Sequence, residues 1–264
     1  MARAAIGILA LAVLAYAGLC ALVFFQQRSL MYFPVPPTPT PAGAVAMELP
    51  VDGARVTVTV FGQERRRALL YFGGNAEDVN GSLGGLSAAF PDHAIYLMHY
   101  RGYGNSSGEP SEAALVSDAL ALYDQVTRKH AAVAVAGRSL GSGVAIQLAS
   151  ARPVERLVLV TPFDSMRHVA AAHYRYLPVR WLMRETYDSL KHAQHISAPT
   201  TLIAAAEDRI IRPAHARALW AAFPQGVATM TVIAGVGHND IESSPRYLPA
   251  LRGEPAVRTS HLTP

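Results

Sequence analysis

A mostly parallel α/β fold is the architecture this sequence predicts, and three observations carry that prediction. Short apolar runs recur without polar alternation, which suits strands buried on both faces of a sheet. Stretches with helical start signals separate them. Of the 264 residues, 51% are hydrophobic and only 16% charged, enough apolar surface for one large core with helices on both faces of the sheet.

The first element is an apolar helix. Ala4 to Phe25 carries no charge over 22 residues. As a helix it measures roughly 33 Å, enough to cross a bilayer core. It has no polar stripe, as a helix of a soluble core would. Ala15-Tyr16-Ala17 has the form of a signal-peptidase site, yet the apolar run continues for eight residues past it, so an uncleaved single-pass anchor is expected. Arg3 and the amino terminus flank one end and Arg28 the other. The expected topology has the N-terminus in the cytoplasm and the domain on the extracytoplasmic side. Pro34 to Gly43, "PVPPTPTPAG", reads as an extended spacer holding that domain off the membrane.

The domain begins near residue 45. "VTVTVF" (56–61) alternates like a half-buried antiparallel strand. The unalternating runs follow at 68–72, 94–98, 132–137, 156–160, 200–206 and 228–235, for a sheet of about eight strands. Helices are expected at Ser111 to Lys129, opened by the capping-type Ser111, at Leu140 to Ala151, and at Pro213 to Phe223 with proline in its first turn. A net charge of +4 with no Lys/Arg tract longer than Arg65-Arg66-Arg67 argues against a nucleic-acid partner. One cysteine, Cys20, rules out an intramolecular disulfide.

In such sheets the reactive groups gather beyond the carboxyl ends of the strands. "GRSLG", Gly137 to Gly141, joins the run at 132–137 to the next helix. A Gly-x-Ser-x-Gly there is the nucleophile-elbow pattern, in which Gly137 and Gly141 give clearance to a strained, exposed Ser139. Gly143 is expected to let the helix approach the sheet. Roughly one chain of this length in ten contains the bare motif by chance, given glycine near 7% of residues; the strand–turn–helix context is what gives it weight. A serine hydroxyl needs a base, and the base needs orienting. His238 lies just beyond the last strand-like run, and Asp208 follows the run at 200–206. The order serine, acid, histidine suits this fold class. Asp164, after the preceding strand, is the rival acid. Gly73-Gly74-Asn75 follows another strand, and the backbone N–H groups of Asn75 and Leu140 are the expected oxyanion donors. No cofactor is implied. His192 and His195 lack a third metal ligand in the pattern, so no metal is expected.

At these residues the chain resembles an α/β-hydrolase, and most of all the membrane-anchored group that includes α/β-hydrolase domain-containing protein 13. "QRSLMYFP", "YFGGNAEDV", "HYRGYGNSSGEPSE", "GRSLGSGVA", "TPFDSM", "YDSLKHAQHISAPTTLIAAAEDRIIRPAHARALW" and "GVGHND" follow in that group's order. The resemblance implies Ser139 as nucleophile, Asp208 as orienting acid and His238 as base. It also implies a domain order of anchor (1–28), Pro-rich spacer (29–44) and α/β-hydrolase domain (45–264) with a small lid at about 163–190. Two departures stand out. Gly73 replaces the group's histidine, a change expected to loosen the oxyanion loop. The segment before "YDSL" is short, so the group's substrate is not carried over. Val169 to Tyr187 in that segment mixes aromatic and aliphatic residues with Arg175, Arg180 and Arg184; it reads either as a core-packing helix with solvated arginines or as a face turned to the bilayer that admits an acyl chain. The expected activity is a membrane-anchored serine hydrolase of acyl esters, thioesters or lipids. Amide or peptide cleavage on the same triad is the alternative, and from another class, a catalytically silent binding protein.

Overall fold

A computed structural model describes residues 1–254; the end of the expected domain, 255–264, lies outside the described residues. The elements in chain order are α1 (Ala2–Met31), β1 (Ala44–Val51), β2 (Ala54–Phe61), β3 (Arg67–Phe72), α2 (Leu83–Ala89), β4 (His93–Met98), α3 (Glu112–Val126), β5 (Ala132–Arg138), α4 (Leu140–Ala151), β6 (Leu157–Val160), α5 (Met166–His173), α6 (Val179–Leu182), α7 (Ser189–Ala193), β7 (Thr200–Ala205), α8 (Pro213–Ala222), β8 (Ala228–Ile233) and α9 (Tyr247–Arg252). The strands form one sheet in the order β1-β2-β4-β3-β5-β6-β7-β8. β2 pairs antiparallel with β1 and β4, and every other pairing is parallel.

Each face of the sheet carries its own core, as a sheet apolar on both sides requires. Leu70 and Phe72 of β3 point to one face with Leu115 and Leu122 of α3 and Val144 and Leu148 of α4. Leu69 and Tyr71 point to the other, with Leu83 and Leu86 of α2 and Leu251 of α9. Ser111 caps α3, its hydroxyl accepting from the Ala114 N–H at 3.2 Å. β8 differs from expectation. It is an edge strand with one buried residue, Ile233, because among the described residues nothing pairs with its outer side.

α1 runs for 30 residues, and none of its most apolar stretch is buried against the protein. It ends where Phe33 precedes Pro34, a position that disfavours helical backbone. The chain then does not stand off as a free spacer. Gly104 N–H donates to the Val35 carbonyl at 2.9 Å, and the Thr38 hydroxyl donates to Asp78 at 2.9 Å. Tyr32 is buried in the domain core. The prolines keep the segment extended, but its hydrogen bonds lay it along the domain.

Candidate active site

Parallel strands deliver their following loops to one edge of the sheet, and five such loops meet here. Ser139 leaves β5 with φ 49° and ψ −117°, a backbone region that costs of order 1–3 kcal/mol for a non-glycine residue. The turn is tight enough that a Cβ at Gly137 would overlap the Gly141 carbonyl, and one at Gly141 the Phe72 carbonyl. Gly143 differs from expectation: it gives clearance to Tyr187 and Phe163 rather than to the sheet. α4 starts directly behind Ser139, and its N-terminus favours negative charge there.

His238 follows β8, and its Nε2 lies 2.9 Å from Ser139 Oγ. Its Nδ1 lies 2.6 Å from Asp208 Oδ2. A carboxylate only accepts, so Nδ1 carries the proton and Nε2 is left to accept from the serine hydroxyl. Asp208 follows β7. Its Oδ1 accepts from the Ile210 and Ile211 N–H groups at 2.9 and 2.7 Å, which fixes the carboxylate plane. Both Asp208 and His238 are buried. Such a chain can draw a proton from Ser139 and hold the imidazolium that results.

Asp164, the rival acid, is otherwise engaged. Its Oδ1 accepts from His215 Nδ1 and its Oδ2 from His168 Nδ1, each at 2.8 Å. Burial alone would push its pKa up, but the hydrogen bonds from His215, His168 and the Ser165 N–H outweigh it and hold the carboxyl below its usual range.

The loop after β3 packs on the serine: a Cβ at Gly74 would lie 3.5 Å from Ser139 Cβ. Among the described residues, neither the Asn75 nor the Leu140 backbone N–H has an intramolecular acceptor. The loop is not loosened by glycine at 73. Tyr100 donates its hydroxyl hydrogen to the Gly73 carbonyl at 2.8 Å, and the Gly74 N–H donates to Glu77 Oε2 at 2.5 Å. A Cβ at Gly73 would overlap Val79. Glu77 also accepts from Arg138 Nη1 at 3.0 Å and from the Tyr71 hydroxyl at 2.6 Å. Arg138 in turn donates to the His238 carbonyl at 3.2 Å. One largely buried ion pair thus ties the glycine loop, the elbow and the histidine loop together. Sequence reading missed Glu77 and Arg138, although both lie inside the motifs it quoted, "GGNAED" and "GRSLG".

The end of α1 also reaches this edge. Asn75 Nδ2 donates to the Met31 carbonyl at 2.5 Å, and Asn75 Oδ1 accepts from the Phe33 N–H at 3.0 Å and the Tyr103 hydroxyl at 2.7 Å. Burial pushes the Tyr103 hydroxyl up to about 12, so it stays a donor. Tyr32 donates to Glu185 at 2.9 Å, and Arg28 pairs with the same carboxylate at 2.9 Å. Glu185 also accepts from the Glu112 N–H at the start of α3.

Comparison with known proteins agrees with this architecture. The esterase Pf2001 of Pyrococcus furiosus superposes with a TM-score of 0.65 at 15% identity, covering 85% of this chain and 95% of that one. In sequence, an uncharacterized Mycobacterium tuberculosis protein, MT2364, is 34% identical over 257 residues, 90% of this chain and 89% of the relative. The lysophosphatidylserine lipase ABHD12 of Danio rerio is 31% identical over 182 residues, 56% of this chain and 45% of that protein. No protein-family model matches the chain. Fold and relatives together define the class: the chain belongs to the α/β-hydrolase superfamily. Within it, the chain shares a family with the Mycobacterium tuberculosis protein, which it matches over nearly the full length of both.

Proposed function

We propose that the protein is a membrane-anchored serine hydrolase that cleaves carboxylic esters or thioesters. The observation that carries the reading is the run of hydrogen bonds from Ser139 through His238 to Asp208, at 2.9 and 2.6 Å, on a strained elbow. Ser139 Oγ attacks the substrate carbonyl while its proton passes to His238 Nε2. The Asn75 and Leu140 N–H groups receive the developing oxyanion. His238 then returns the proton to the leaving alcohol or thiol, and the acyl group stays on Ser139. Water attacks that ester with His238 again as base, and the acid departs.

α1 serves as a single-pass anchor, which its length and hydropathy support, with the domain on the extracytoplasmic side. The segment from β6 to α7 serves as a small lid. The relatives named as a lysophosphatidylserine lipase and an esterase support acyl esters or lipids as the substrate class. The test is hydrolysis of p-nitrophenyl acyl esters of graded chain length by the full chain and its Ser139→Ala variant. Turnover by the parent and its loss in Ser139→Ala is the expected result. Equal rates in both would refute the assignment.

A further inference from the structure

We infer that the lid is itself a membrane-contacting surface: Tyr174, Tyr176 and Trp181 lie in the interfacial layer of the bilayer beside α1, and acyl substrate reaches Ser139 from the membrane. The inference rests on reading α1 as a membrane helix and adds to it where the domain sits.

The lid presents its aromatics outward. Tyr176 is 92% exposed, Trp181 88% and Tyr174 59%. Large aromatics with a polar tip are costly in bulk water and favoured at the headgroup level, where one end is apolar and the other wet. From Met166 to Arg184 the lid has four arginines and no acidic residue. Arg175, Arg180 and Arg184 are exposed. That charge complements anionic lipid headgroups.

The lid is also fixed to α1 along one side of the helix. The Tyr16 hydroxyl donates to the Tyr176 carbonyl at 2.7 Å. Arg184 stacks over the Phe24 ring at 4.1 Å, and its N–H donates to Gln27 Oε1 at 2.7 Å. Positions 16, 24 and 27 fall on one helical face. Tyr16 stands nine residues before the end of the apolar run at Phe25, about 13 Å along the helix axis. With α1 tilted by about 40°, that axial distance becomes roughly 10 Å of depth, so a residue bonded to Tyr16 is carried just below the level of Phe25, within the interfacial layer.

The same surface reaches the site. His173, at the end of α5, lies with Nε2 2.9 Å from the Ile210 carbonyl, two residues from Asp208. On the opposite flank, Asn75 is bonded to Met31 and Phe33 at the end of α1. Phe33 and Ile210 are both exposed. Exposed apolar residues thus stand on both flanks of the site, Phe33 on the anchor side and Ile210 on the lid side. A bilayer covers both flanks at once, which is why the occupant is lipid rather than a protein partner.

Depth-dependent quenching tests this on the full chain. In a Trp220→Phe background Trp181 is the single tryptophan. The protein is reconstituted into phosphatidylcholine vesicles with a minority of phosphatidylglycerol, with phosphatidylcholine brominated either near the headgroup or near the bilayer centre. The expected result is at least about twofold quenching of Trp181, stronger with the shallow bromine. Trp220, alone in the Trp181→Phe variant, serves as the control. Its indole N–H donates to the Ala228 carbonyl at the amino end of β8, the far edge of the sheet, so it stays unquenched. A protein that floats with the vesicles while Trp181 remains unquenched overturns the inference and leaves the anchor reading standing. Trp181 shielded from bromolipid and from aqueous acrylamide alike assigns the face to a protein neighbour and also overturns it. Failure to float with the vesicles refutes the anchor reading and the inference with it.

Discussion

The side-chain amide of Asn75 donates to the carbonyl oxygen of Met31 at 2.5 Å, so the last turn of the N-terminal helix is bonded directly to the loop beside Ser139. A residue placed for its backbone N–H is thereby held in position by its side chain. Asn75→Ala keeps the N–H and removes the tether. It is expected to lower kcat on a short soluble ester about tenfold, or about 1.4 kcal/mol of barrier, with little change in KM. An unchanged kcat would show that the backbone alone holds the loop.

The choice between the two acids is quantitative. Asp208 meets His238 at 2.6 Å, whereas Asp164 is occupied by His168 and His215. Asp208→Asn leaves the imidazole in the wrong tautomer and is expected to cost on the order of 10⁴ in kcat. Asp164→Asn is expected to stay within about tenfold of the parent, since its carboxylate positions α5 and α8. Steady-state kinetics of the pair decides, and equal losses would contradict the assignment.

Glu77 and Arg138 form a largely buried ion pair at 3.0 Å beside the glycine loop. Arg138 also lies 3.7 Å from Glu242, so removing Glu77 leaves it partly paired, at a cost below the roughly 3–5 kcal/mol typical of a fully stranded buried charge. Glu77→Gln is therefore expected to lower the unfolding free energy from urea titration by about 2 kcal/mol, and the Glu77→Gln, Arg138→Met double variant to recover part of it. A single variant as stable as the parent would mean the pair is dispensable.

His93 makes stability depend on pH. Burial first, then the nearby Arg67 charge, pushes its folded value down from 6.5 to about 4. Its buried Nδ1 has no hydrogen-bond partner among the described residues. Above pH 6.5 both states are neutral there. Below it the unfolded chain takes up a proton that the folded chain refuses, so folding loses up to about 3 kcal/mol as pH falls towards 4. Urea midpoints across that window are expected to fall less steeply in His93→Leu. Parallel pH profiles for variant and parent would refute this source of acid sensitivity.

Much of this was legible in the sequence, for local reasons. α4 was expected at Leu140 to Ala151 and spans those residues, because "GRSLG" marks its start and a continuous apolar run its length. Other elements lacked such marks. α2 contains two glycines and α9 a proline, so neither shows a clean helical period. β1 includes Pro50, tolerated because the strand lies at the sheet edge. β8 reads as apolar, but no pattern within it reveals that it lies at the edge of the sheet among the described residues. Glu77 and Arg138 are 61 residues apart, and Asn75 and Met31 are 44 apart. Pairings of that range depend on strand order, which residue spacing does not encode. Composition alone makes the Pro-rich segment a stand-off; its hydrogen bonds to Gly104 and Asp78 lay it against the domain.

The central claim is that Ser139 is the activated nucleophile. The direct measurement is covalent labelling of the folded full chain with a fluorophosphonate, followed by tandem mass spectrometry of the modified peptide. The account predicts a single adduct on Ser139, absent from Ser139→Ala and strongly slowed in His238→Ala. An adduct on Ser142 or Ser150 instead, or no adduct on folded protein, would contradict it.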